Sequence, residues 1–348
     1  MIDRSRAKVK KAIVPLIAIV LLHGCAIYTR HPVSETAFLL GTTCTVTLYQ
    51  QAPDGVFAGV FDLVRGIESR MSVNLSASEV STVNRAAGEK PVRVSQDTYT
   101  VVATGLEYCR LSEGAFDITV GPLVQLWGIG TERARVPAPQ EIRSALALLG
   151  WREVVLNEGE RSVFLKRKGM ALDLGGIAKG YAADAAAQYL SRRGVRHALI
   201  DFGGNIVALG NRRQGGKWRI GIQNPSKPRG AYLGILEVCD EAVATSGTYE
   251  RFFEQNGVRY HHILDTTSGG PVGNGVVSVT IVTRRSIIAD ALSTSVFALG
   301  IGKGLGLAES LSGVEAVVIQ EDGAVFTTPG LKERFRLTDP GFRLASSP

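Results

Sequence analysis

At 348 residues, 45% hydrophobic and 20% charged, the chain is long enough for a substantial core and too apolar for a disordered polymer. Residues 1–24 hold five of the 39 Lys/Arg and one of the 32 Asp/Glu, so the formal charge of +7 falls to +3 for the remainder. With no basic stripe interleaved with aromatics, the pattern gives nucleic-acid binding no support.

Arg4, Arg6, Lys8, Lys10 and Lys11 form a basic lead-in to an apolar run, Ala12 to Leu22, of 11 residues. That run is short for a bilayer span and fits a secretory signal. It ends in Leu22-His23-Gly24-Cys25, which resembles the bacterial lipobox, with Cys25 as the lipidated mature N-terminus. We therefore expect a signal peptide over 1–24, a tether over 25–36 and one large catalytic domain over 37–340. Cys44, Cys109 and Cys239 remain, widely spaced and without a zinc pattern, so buried free thiols or one disulfide with one thiol left over are expected.

Along the domain, Ala37–Tyr49 reads as a strand and Asp54–Met71 as a helix, with Val56, Val60, Val64, Ile67 and Met71 on one face. Ser76-Ala-Ser-Glu79 reads as a capping box for a short helix. Ser95–Leu111 and Pro139–Leu149 are further helices. The second half is β-rich, with strands at Val154–Leu156, Val163–Lys166, Met170–Leu174, Ala198–Asp201, Ile206–Leu209, Trp218–Gln223, Leu233–Val238 and Val276–Val282. Helices Ile177–Arg193 and Ile287–Ala298 interrupt them. This mixed order argues for an α+β domain with mixed or antiparallel sheets and flanking helices.

Four segments carry polar residues that could do chemistry. In Asp173-Leu-Gly-Gly-Ile-Ala-Lys179-Gly, glycines precede a helix start, an arrangement that suits an anion such as phosphate. In the apolar helix, Asp290 and Thr294 are four residues apart and share a face. Such hard oxygen ligands suit Mg²⁺, although helix capping by Asp290 is an equally ordinary use. Asp117 breaks the apolar run Ala115-Phe116-Asp117-Ile118, as a turn or as a ligand contact. His262 beside Asp265 reads as a general base with an orienting carboxylate, or as a structural pair.

Taken in order, Ala-Phe-Asp, Asp-Leu-Gly-Gly-Ile-Ala-Lys-Gly, His-Ile-Leu-Asp and Asp-x-x-x-Thr resemble the ApbE-type FAD:protein FMN transferases over about Leu40 to Leu299. The resemblance implies an ApbE-like, T-fold-related domain, FAD as substrate, Mg²⁺ as cofactor, and FMN transfer to a Thr or Ser hydroxyl of an envelope flavoprotein with release of AMP. It implies Mg²⁺ held by Gly176, Asp290 and Thr294, and a FAD site lined by Leu40, Ala115, Phe116, Asp117, Asp173, Lys179 and Leu264. His262 is our expected base. It also implies lipid anchoring at the bacterial cell envelope, on the periplasmic face of the inner membrane. Asn74 stands where such proteins often have Tyr or Trp over the flavin ring, so weaker retention and some FAD pyrophosphatase activity are expected. The alternative is a flavin-holding lipoprotein without chemistry.

Overall fold

The computed structural model describes residues 32–212 and 215–346, and those from Pro32 onward belong to one compact unit. The expected signal peptide, the lipidation site Cys25 and most of the tether lie outside the described residues.

Among the described residues a nine-stranded sheet dominates. Its strands run in the order Val33–Leu39, Thr42–Leu48, Ala198–Phe202, Asn205–Leu209, Glu241–Gly247, Val276–Thr283, Glu315–Gln320, Ala324–Thr327 and Arg343–Leu344. Every neighbouring pair is antiparallel except the last. Helices Val56–Met71, Ala178–Arg192 and Ser286–Leu299 form a layer on one face. A three-stranded sheet, Trp218–Gln223, Tyr232–Val238 and Phe335–Leu337, covers much of the other. Val276–Thr283 therefore has almost every side chain buried, which explains its run of β-branched residues rather than a polar–apolar alternation. The α+β expectation holds.

The helix Val56–Met71 buries the residues that its periodicity picked out. Ala182, Ala183 and Ala186 are fully buried in Ala178–Arg192, and small side chains there let it lie close to the sheet and to Ser286–Leu299. Cys44, Cys109 and Cys239 are all free thiols, the first two buried.

Three local expectations need correction. The single strand Ala37–Tyr49 is a hairpin that begins at Val33, turning at Leu40 and Gly41 with φ of 55° and 66°. Two consecutive left-handed residues match the twist of the paired strands, and leucine in that conformation hides the turn from a composition reading. The short helix Glu79–Arg85 is capped by Ser78, not Ser76, and Glu79 instead accepts from the N–H and Oγ of Ser95. Met170–Leu174 makes only an isolated bridge, Val120 to Ala171. Among the described residues no strand lies beside it; the Asn84 amide bonds both the N–H and the carbonyl of Leu172.

Candidate active site

The strand-to-helix turn at Gly175-Gly176 lies against the helix Ser286–Leu299. A Cβ placed on Gly176 would stand 3.5 Å from Thr294 Oγ1 and 3.1 Å from the Phe116 ring. Asp290, one turn before Thr294, is 4% exposed. Its Oδ2 accepts the Gly180 N–H at 2.9 Å, and its Oδ1 lies 3.4 Å from Lys179 Nζ. Lys179 also donates to the Gly175 carbonyl. Gly176, Lys179, Asp290, Thr294 and Phe116 are thus one cluster.

The expected phosphate cradle at this helix start takes a different form. The N–H groups of Ile177 and Ala178 are spent on the Leu174 carbonyl, and that of Gly180 on Asp290. An anion does sit at the positive end of the helix, but it is the chain's own carboxylate.

Ser246, on the strand Glu241–Gly247, joins this cluster. Its Oγ lies 3.3 Å from Thr294 Oγ1 and 2.8 Å from Ser293 Oγ. A serine in a β-branched strand carries no distinguishing signal; only the fold brings it to the helix. Asp290, Thr294 and Ser246 supply hard oxygen donors with a single carboxylate. Among the described residues no cluster of three or more His, Cys, Asp or Glu exists. This donor set fits an ion that keeps waters and takes substrate phosphates, as Mg²⁺ does, and is too sparse for a fully protein-ligated site.

Asp117 is a buried turn residue: its Oδ1 accepts from both the N–H and Oγ1 of Thr119 at 2.7 Å. Burial pushes its carboxyl above the usual carboxylate range, against the pull of those two bonds. Asp173 is joined to the same segment, its N–H donating to the Ile118 carbonyl. Its Oδ1 caps the Gly175 N–H; burial raises its carboxyl, while Gly175, Arg251 and Lys179 draw it down. Ala115 is half-buried on this segment, next to Gly114, whose carbonyl accepts from Thr266 Oγ1. Leu264 is buried against Leu123 and Trp127.

His262 does not pair with Asp265. Asp265 spends its carboxylate on its own turn, accepting from Thr267, Ser268 and the Ser268 hydroxyl. His262 Nδ1 instead lies 3.2 Å from the Arg251 carbonyl. A carbonyl only accepts, so Nδ1 carries the proton and Nε2 keeps its lone pair. Burial and the Arg251 charge lower the imidazole to about 4. Arg251 in turn donates to the Gly41 carbonyl at 3.1 Å, tying His262 to the Leu40 turn. The positive charge of Arg251 lowers both the Asp173 carboxyl and the His262 imidazole, and that of Lys179 does so more weakly. Arg251 lies in an unremarkable sequence and nothing there marks it. Asn74 is exposed in the loop after Val56–Met71, its N–H on Ser72 Oγ, with no hydrogen bond to the other candidates.

Comparison with known proteins shows which family the chain and its fold resemble. The ApbE family model matches residues 40–318. The chain is 37% identical over 311 residues to a FAD:protein FMN transferase of Klebsiella pneumoniae, covering 89% of this chain and 96% of that protein. It is 38% identical over 328 residues to one from Treponema pallidum, covering 89% and 91%. Among solved structures, the ApbE protein of Thermotoga maritima superposes with a TM-score of 0.81 at 32% identity, covering 88% of this chain and all of that one. The flavin transferase ApbE of Vibrio cholerae gives 0.76 at 32% identity, covering 90% and 98%. The chain belongs to the ApbE family.

Proposed function

We propose that this protein is a FAD:protein FMN transferase that moves FMN from FAD to a threonine or serine hydroxyl of an envelope flavoprotein, releasing AMP. The observation that carries the reading is the buried Asp290 one helical turn from Thr294, with Gly176, Phe116 and Lys179 against them. The relatives' transferase activity supports it.

Asp290, Thr294 and the Gly176 carbonyl would hold Mg²⁺. When bound, the ion supplies positive charge to the diphosphate as charge develops on the leaving AMP phosphate. The chain's own groups do the rest. The acceptor oxygen attacks the FMN phosphorus, the bond to the bridging oxygen breaks, and that oxygen leaves with AMP. His262 Nε2 takes the hydroxyl proton, held ready by its Nδ1–H bond to Arg251. Lys179, bonded to the Gly175 carbonyl near Asp290, and Arg251, bonded to the Gly41 carbonyl, would place two cations beside the anionic substrate. Leu40, Ala115, Phe116, Asp117, Asp173 and Leu264 would line the FAD site.

The exposed Asn74 offers no aromatic face to the flavin, and FAD pyrophosphatase activity follows as a side reaction when water replaces the acceptor. The basic, apolar N-terminal segment and Cys25 support lipid anchoring at the periplasmic face of the inner membrane. Purified protein incubated with FAD, Mg²⁺ and envelope extract should label a band with flavin fluorescence on a denaturing gel and release AMP. No labelled band together with no AMP contradicts the proposal.

A further inference from the structure

The strand Val33–Leu39 is the outer edge of the nine-stranded sheet among the described residues. Folded proteins protect such edges with lysine, proline, bulges or brevity. This one has seven residues, pairs with Thr42–Leu48 in unbroken register, and carries one charge, Glu35.

The hairpin geometry fixes which of its backbone groups face away from the sheet and have no partner among the described residues. Leu39 and Thr42 flank the two-residue turn and form its closing hydrogen-bonded pair. Alternation along an antiparallel ladder then turns the N–H and carbonyl of Phe38, Thr36 and Ser34 outward. The side chains agree: non-hydrogen-bonded pairs approach more closely, and Ser34–Thr47 and Thr36–Thr45 meet hydroxyl to hydroxyl at 2.9 and 3.0 Å. Phe38, at the last outward position, is 77% exposed.

This edge runs into the active site. Two residues beyond Phe38, the Leu40 N–H is fixed by Glu68 and the Gly41 carbonyl by Arg251, whose own carbonyl takes the His262 Nδ1–H. We infer that an extended segment of the acceptor protein adds as a strand to Val33–Leu39, its backbone bonding to Ser34, Thr36 and Phe38, and so presents its hydroxyl-bearing residue to His262. An extended strand is the conformation that projects one side chain into a buried site while its backbone stays bonded outside. The inference rests on the transferase reading, which requires a protein hydroxyl to reach this place.

Proline at position 36 removes one outward N–H and leaves the ladder to Thr42–Leu48 intact, since edge strands tolerate proline on that side. The test takes the flavin-labelled band from the extract assay, digests it, and resynthesises the labelled peptide without flavin as substrate. With Thr36→Pro, KM for this peptide should rise about tenfold while AMP release without acceptor stays unchanged. A peptide N-methylated along its bonding edge should show the same rise with the wild-type protein, which removes any question of folding. Peptide addition should also slow amide exchange at Ser34, Thr36 and Phe38.

An unchanged KM in both arms overturns the docking alone. A wild-type protein that labels no band and releases no AMP overturns the transferase reading as well, through that arm by itself. Light scattering that shows a dimer converted to monomer by Thr36→Pro assigns the edge to a second copy and overturns the inference.

Discussion

Asp184 and Asp290 cap each other's helices. Asp184, on Ala178–Arg192, accepts the N–H groups of Ser286 and Ile287 at 2.7 and 3.0 Å, at the start of the partner helix. Asp290, on that partner helix, accepts from Gly180 at the start of the first. The two carboxylates satisfy backbone donors that a buried helix end would otherwise leave unpaired. They also hold Asp290 and Thr294 in fixed positions on the helix. Burial raises the Asp184 carboxyl, against the pull of these two bonds and of Arg285.

The crossing depends on Gly180. A Cβ there would stand 2.3 Å from the Ser286 carbonyl and 2.8 Å from Asp290 Cβ, contacts that no side chain can tolerate. Gly180→Ala should destabilise the protein by about 1–3 kcal/mol through overpacking. It should also weaken Mg²⁺-dependent AMP release, because Asp290 must move. Urea unfolding and the FAD assay check both; unchanged stability would show that the helices part without cost.

Asn84 holds the segment before Asp173 by two bonds to Leu172. Asn84→Ala leaves one backbone N–H and one carbonyl unpaired in a part-buried place, a loss of about 2 kcal/mol. Thermal unfolding measures it, and Asn84→Asp, which keeps only the acceptor, should fall between the two.

His262 stays neutral far into acid. Its pKa is lowered to about 4 from the ordinary 6.5, first by burial and then by Arg251. Between those values the unfolded chain binds a proton that the folded chain refuses. The stability contributed by neutral His262 is therefore complete above pH 6.5 and is lost as pH falls toward 4. His262→Gln should flatten that part of the stability profile while cutting transfer by roughly 10²–10⁴-fold. In the wild type, transfer should show no inflection from this group between pH 5 and 8; an inflection near 6.5 would place the imidazole in water.

At Asn74 the expected gain is in retention. Asn74→Tyr should tighten flavin binding by roughly 1–3 kcal/mol if stacking is restored, and lower FAD hydrolysis in the absence of acceptor. Fluorescence quenching and AMP release give the two readouts, and tightening without slower hydrolysis would separate stacking from water exclusion.

Much of this was legible in the chain. Asp290 and Thr294 stand at a spacing that any helix brings to one face, and the apolar run around them announces burial. Ser246 and Arg251 were not legible, since each acts across a long stretch of sequence on a hydroxyl or backbone group that only the fold brings near. The Leu40 turn escaped because leucine rarely adopts a left-handed conformation. The helix Ile301–Ser310 carries three glycines, which weaken its helical pattern. The strand expected at Met170–Leu174 is reduced to one bridge to Val120 and one bond to Ile118, and side-chain bonds from Asn84 take the place of a second ladder.

AMP release from FAD, followed against Mg²⁺ concentration in wild type and Asp290→Asn, addresses the metal-supported diphosphate cleavage most directly. The wild type should lose activity in excess chelator and regain it with Mg²⁺, while Asp290→Asn should need far more ion and fail to recover fully. Undiminished AMP formation in excess chelator would contradict the account.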